Sequence, residues 1–150
     1  MLPQRVEKYR VQKTGESFDF DKVLKIAAGP DYVLALREDG KVYAWGSNSH
    51  YKLGNNSISS SSMPIVINNL ENITAIAAGQ DHALALGENG KVYAWGYNHK
   101  GQLGRNYAGN SDYYAPSPVL ARGGNGTLSG AVDIAAATTQ IGRASCRERV

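Results

Sequence analysis

Residues 26–46 read IAAGPDYVLALREDGKVYAWG: three apolar runs separated by polar breaks rich in Gly, Pro and Asp. Short apolar runs bounded by turn formers are the signature of β-strands in a meander. The second break carries Asp39-Gly40, a leading signal for a two-residue hairpin turn in which both residues take positive φ. Such a turn sets Glu38 against Lys41, an opposite-charge pair across the strands. Counting back from it predicts Leu36 opposite Tyr43 and Leu34 opposite Trp45 on one face, with Ala35 opposite Ala44 on the other. One face is then bulky and the other slim. That arrangement suits sheets stacked on both sides.

The same pattern returns fifty residues later. Residues 76–96, IAAGQDHALALGENGKVYAWG, match residues 26–46 at 16 of 21 positions without a gap. Asn48, Leu53, Gly54 and Asn56 match Asn98, Leu103, Gly104 and Asn106. The repeated scaffold positions are Gly29, Leu34, Leu36, Gly40, Tyr43, Trp45 and Gly46 in the first copy. In the second they are Gly79, His82, Leu84, Leu86, Gly90, Tyr93, Trp95 and Gly96, followed by Leu103 and Gly104. A fourth strand per unit comes from the segments at 3–6, 64–67 and 118–120, each opening on proline, which confines them to a sheet edge or a strand start. Four short strands in a unit of about 50 residues is the arithmetic of a β-propeller blade.

The expected fold class is therefore all-β: blades of four antiparallel strands in a partial propeller, about two complete blades with partial units at both ends. Residues 1–22 are read as the end of a preceding repeat, 23–72 as the first full repeat and 73–130 as the second, with a long loop. Residues 131–140 begin a third. On this reading the chain is a fragment of a longer protein.

Composition changes the picture in two places. The last ten residues, IGRASCRERV, fit no repeat and resemble the translation of a sequencing-library adapter, so 141–150 is set aside as non-native. The tail carries three arginines and one glutamate, +2, so the body falls from +3 to +1. The apparent basicity goes with it, and with that any nucleic-acid footprint argued from charge. The only cysteine, Cys146, also lies in the tail. The body then has no disulfide framework, thiolate nucleophile or cysteine-based zinc site. An apolar content of 42% is enough for a core. No apolar run approaches a membrane span, and the fragment shows no signal peptide, which leaves its compartment unknown.

The ordered phrases IAAGxDHxLAL, GKVYAWGxN and GQLG, the last at 101–104, resemble the regulator of chromosome condensation repeat family over roughly residues 23–140. The resemblance implies blades of a seven-bladed propeller. The first copy departs from the pattern twice, with Tyr32 in place of the histidine and Tyr51-Lys52-Leu53-Gly54 in place of GQLG. The third has Ala137 at the place of Gly79. Kelch propellers share the repeat length, but their paired glycine after the second strand is missing.

The chemistry-bearing residues read mostly as structure. Trp45 and Trp95 sit in the repeated strand and are expected to be core anchors. Asp81 and His82 are strand neighbours pointing to opposite faces, so they cannot converge as an acid–base pair; His82 is expected to donate a structural hydrogen bond. His50 and His99 lack the partners of a zinc site. Gly124-Asn125-Gly126 precedes a strand rather than a helix, which argues against a phosphate-binding loop. The sequence thus offers no catalytic residue, cofactor or metal, and neither a nucleic-acid nor a membrane partner is expected.

Function is sought on the loops that differ between copies while the scaffold stays fixed. The loop after the second Trp strand, RNYAGNSDYY, sets tyrosines among small polar residues, the composition of loop-borne recognition surfaces. Tyr107, Asp112, Tyr113 and Tyr114, with Tyr97 and His99, are the candidate partner-binding residues. The expected function is a non-enzymatic protein–protein interaction module with another protein as partner. The family resemblance implies an alternative, part of a guanine-nucleotide exchange factor for a small GTPase.

Overall fold

The computed structural model describes residues 9–13, 16–99, 102–103, 113–121, 126–136 and 144–148. The strands are β1 (Tyr9–Lys13), β2 (Glu16–Phe20), β3 (Val23–Ala28), β4 (Tyr32–Arg37), β5 (Val42–Gly46) and β6 (Ser61–Val66). They continue as β7 (Ile73–Ala78), β8 (His82–Gly87), β9 (Val92–Gly96), β10 (Tyr113–Pro118), β11 (Ala131–Ala136) and β12 (Ala144–Glu148). Strands β3 to β6 form one antiparallel sheet in chain order, and β7 to β10 form a second with the same order. The pairs β1–β2 and β11–β12 flank them as hairpins. The chain is a stack of propeller blades.

The proline-bearing strands β6 and β10 lie at sheet edges, each paired on one side only, where a missing amide donor is tolerated. They begin earlier than the prolines suggest. β10 starts at Tyr113, paired with Gly96, so Tyr113 and Tyr114 belong to an edge strand and not to the preceding loop. Tyrosine favours extended backbone, and Gly96 offers it a ladder partner. The proposed strand at 3–6 lies outside the described residues. β12 falls inside the decapeptide set aside above and pairs with β11 from Ala131↔Glu148 to Ala136↔Ala144. A strand edge presents unpaired amides and carbonyls to any segment able to extend beside it.

The hairpin register differs from the expected one by one residue. Arg37 N donates to Lys41 O at 3.0 Å and Gly40 N to Arg37 O at 2.9 Å; Gly87, Lys91 and Gly90 repeat this at 2.9 and 3.0 Å. This is a type I turn closed by a single left-handed residue, Gly40 at φ 76° or Gly90 at φ 75°. Asp39 and Asn89 instead accept from the amides of Lys41 and Lys91 through their side chains, at 3.1 and 3.0 Å. The extra turn residue moves the pairs to Leu36↔Val42, Ala35↔Tyr43, Leu34↔Ala44 and Val33↔Trp45. The Glu38–Lys41 pair and the bulky-against-slim division of faces are thereby corrected. Each face mixes large and small residues.

Those mixed faces fit one another. Leu34, Leu36, Val42 and Ala44 of the first blade pack against Ala83, Ala85 and Trp95 of the second, with Leu53, Ile67 and Leu70 closing the layer. Leu84, Leu86, Val92 and Ala94 of the second blade do the same toward Ala131, Ile134 and Ala136 of β11. Full burial of one such large side chain contributes about 1.5–3 kcal/mol. The blades are also joined by backbone: Gly40 O accepts from Ile73 N and Gly90 O from Ala131 N, both at 3.1 Å. The turn of one blade thus holds the first strand of the next.

Candidate functional site

The sheet end opposite these hairpin turns gathers the residues that differ between copies. There the β3–β4 turn is closed by Gly29 N to Tyr32 O at 3.0 Å, and Ser47 N donates to Asp31 O at 2.9 Å. In the second blade Gly79 N bonds His82 O and Tyr97 N bonds Asp81 O, both at 2.8 Å. The loop after β5 is organised by Asn48, which is buried. Its side-chain amide donates to Asn55 Oδ1, Ser57 O and Ser59 O, while its Oδ1 accepts from Leu53 N at 2.9 Å. Asn98 Oδ1 accepts from Leu103 N at 3.2 Å in the second copy. The recurrence of Asn and Leu five residues apart was the sequence signal for this loop staple.

The side chains of Tyr32, Lys52 and Trp95 each make polar contacts across the blade junction. Tyr32 Oη donates to Gly79 O at 2.9 Å and to His82 O at 2.6 Å. Lys52 is 1% exposed, and its Nζ bridges Asp31 Oδ1 at 2.8 Å and Asp81 Oδ1 at 3.0 Å. The ammonium also lies 5.4 Å from the centre of the Tyr32 ring. Trp95 Nε1 donates to Lys52 O at 2.9 Å. Tyr32 and Lys52 are both positions where the first copy leaves the repeat pattern. They are each other's neighbours, and both reach into the next blade.

Burial, reinforced by the carboxylates of Asp81 and Asp31, pushes the Tyr32 phenol far above its usual range. Burial also holds the His82 imidazole below its usual range, against the opposing pull of Asp81. The hydrogen bond expected from His82 is not found at Nε2, which is buried with no partner among the described residues. What His82 supplies to the junction is its carbonyl. Trp95 is fully buried, as expected of an anchor. Trp45 is half-buried, edge-on to Phe20 at 6.0 Å, and borders an apolar recess of about 250 Å³ with Ile26, Ala35 and Pro64.

Of the candidate partner-binding residues, the structure brings Tyr97 and His99 together. Their rings stack at 4.7 Å with planes 14° apart. His50 of the first blade meets the Tyr97 ring edge-on, at 4.8 Å and 72°. His50 and Tyr51 both hold left-handed backbone, φ 59° each, a conformation that side chains bearing a Cβ take only under local constraint. His50 and His99 are exposed and Tyr97 is half-buried. Nothing in the sequence joined His50 to this group, because its partners sit one repeat away. Gly104, Tyr107 and Asp112 lie outside the described residues, and Tyr113 and Tyr114 begin β10. Among the described residues there is no group of three or more side chains able to hold a metal, and no helix long and apolar enough to cross a membrane.

The regulator of chromosome condensation (RCC1) repeat matches residues 39–86 and 89–140, and a second description of the same repeat matches 23–51 and 73–102. The chain belongs to the RCC1 repeat family. A 50-residue stretch, 33% of the chain, is 37% identical to the E3 ubiquitin-protein ligase HERC2 of Homo sapiens and of Mus musculus, and covers 1% of either ligase. Among solved structures, human WBSCR16 aligns with a TM-score of 0.68 and 23% identity, over 91% of this chain and 35% of that one. Prp20p from Saccharomyces cerevisiae, described with its binding to Gsp1p and histones, aligns at 0.68 and 18% over 92% and 36%. Yeast RCC1 (Prp20) in complex with Kap60 aligns at 0.68 and 26%, over 89% and 30%. The chain spans about a third of these propellers.

Proposed function

We propose that this chain serves as a non-enzymatic protein-interaction module, using the blade end built around His50, Tyr97 and His99. The observation that carries this is an aromatic cluster from two repeats, at positions that vary between copies, mounted on a rigid junction. Rigid aromatic side chains on a fixed frame give contact area at low conformational cost. Tyr107, Asp112, Tyr113 and Tyr114 are included in the proposal on the composition of their segment alone. Prp20p is described with its binding to Gsp1p and histones, but a fold likeness at 18% identity carries no partner across. Exchange activity on a GTPase therefore stays the second reading.

The test is capture of protein partners by the full-length protein with Tyr97→Ala and His99→Ala together. Loss of a specific partner with an unchanged melting curve is the expected result. Undiminished recovery would remove this face from the interaction. A nucleotide-release assay with a small GTPase separates the two readings.

A further inference from the structure

We propose that Asn89 is a site of spontaneous covalent modification, loss of its side-chain amide to water, and that the isoaspartyl product detaches the third repeat from the second blade. The inference goes beyond the interaction reading above and does not depend on it.

Asparagine is a labile residue. Here glycine follows it, so no Cβ shields the neighbouring main-chain nitrogen. In the reaction the Gly90 nitrogen gives up its proton and attacks Asn89 Cγ. The C–N bond of the side-chain amide breaks and ammonia leaves, closing a five-membered succinimide. One water then opens the ring. Addition at one carbonyl returns an aspartate; addition at the other leaves an isoaspartate, whose main chain runs through the former side chain. The net change is an amide and a water exchanged for a carboxylate and ammonium. Asn89 is exposed, so that water is at hand.

The closed turn both primes and restrains this step. Asn89 Oδ1 accepts from Lys91 N at 3.0 Å, which polarises Cγ for attack. Gly90 N donates to Gly87 O at 3.0 Å, which ties up the proton that must leave. The reaction therefore runs through moments when the turn opens, and exposed turns open far more often than the core.

The first blade shows what each product would do. It already carries aspartate at this place: Asp39 Oδ1 accepts from Lys41 N at 3.1 Å, and Gly40 O still holds Ile73 N at 3.1 Å. The aspartyl product thus fits the turn unchanged. Isoaspartate inserts a further carbon into the main chain just before Gly90. The turn has no slack for it, since Gly90 O must reach Ala131 N at 3.1 Å, and a Cβ on Gly90 would meet Gly130 N at 2.7 Å.

The experiment ages the whole chain at mildly alkaline pH, folded and in concentrated urea, and maps residue 89 by mass spectrometry that separates aspartate from isoaspartate. Conversion is expected in both samples, and at least about tenfold faster in urea, because the rate follows the open fraction. The isoaspartyl protein, purified by chromatography, should lose the protection of the Ala131 amide against hydrogen exchange. Asn89→Asp should keep that protection and an unchanged melting temperature. No conversion of Asn89 in the folded chain over several weeks, or equal rates with and without urea, would overturn the proposal. Equal protection of Ala131 in the isoaspartyl protein and in Asn89→Asp would overturn it as well.

Discussion

The hydroxyl of Tyr32 donates to the carbonyl of His82 at 2.6 Å, and these two residues occupy the same place in successive repeats. One copy's departure from the pattern therefore reads out directly on its equivalent in the next blade. Replacing Tyr32 by Phe keeps the ring and removes both junction hydrogen bonds, leaving the carbonyls of Gly79 and His82 without this donor. A loss of about 1–3 kcal/mol is expected from urea unfolding. A change below a few tenths would show that water or another donor replaces the hydroxyl.

The same phenol sets an alkaline limit. Its folded-state pKa is raised, so the folded chain keeps its proton longer than the unfolded one does. The stabilisation is complete below the ordinary tyrosine value of about 10 and is lost as pH rises beyond it. Tyr32→Phe should flatten the fall in melting temperature between about pH 9.5 and 11. Parallel curves for the two proteins would contradict the assignment.

His82 acts at the other end of the scale. Its folded-state pKa is depressed, so the unfolded chain binds the proton more readily, and stability falls as pH drops through the ordinary histidine value of about 6.5. His82→Gln should make the melting temperature less sensitive to pH between about 7.5 and 5.5. An unaltered slope would place the acid sensitivity elsewhere.

Lys52 is the sole cation shown between Asp31 and Asp81, among the described residues. Lys52→Met retains much of the packing but leaves two carboxylates facing one another. Because both are partly exposed, the cost should lie below the roughly 3–5 kcal/mol of a fully buried broken pair. We expect about 1–3 kcal/mol, with partial recovery at 1 M NaCl, where screening shortens to about 3 Å. Identical destabilisation at low and high salt would mean that packing alone was lost.

The two tryptophans should separate under truncation. Trp95→Phe removes the donor to Lys52 O from a fully buried site and should cost about 1–3 kcal/mol. Trp45→Phe removes half-buried area and no indole hydrogen bond shown here, so its cost should be under about 1 kcal/mol. Chemical denaturation of both variants checks the order. A reversed order would argue against the burial asymmetry.

The repeat made the blades legible, because a fifty-residue period with fixed apolar positions can bury its faces only by stacking. The hairpin register was not legible. Asp-Gly and Asn-Gly serve equally in a two-residue turn and in a type I turn with a left-handed glycine, and one residue of difference turns every pair. The backbone contact of Gly40 with Asn72 and Ile73 favours the second form, and those residues lie 32 and 33 positions further along the chain. The binding face was half legible. Tyr97 and His99 stood out by composition, whereas His50 joins them only through the junction. Tyr113 and Tyr114 look like loop residues until Gly96 is seen as the ladder partner of Tyr113.

The bond from Gly40 O to Ile73 N gives assembly a direction. Each finished hairpin offers its carbonyl to the amide that opens the following sheet, and Gly90 does so again for Ala131. A chain emerging from the ribosome meets these acceptors in the order of synthesis. Each sheet is therefore tied by backbone to the turn of the one before it, and an added unit needs only its immediate neighbour to be held.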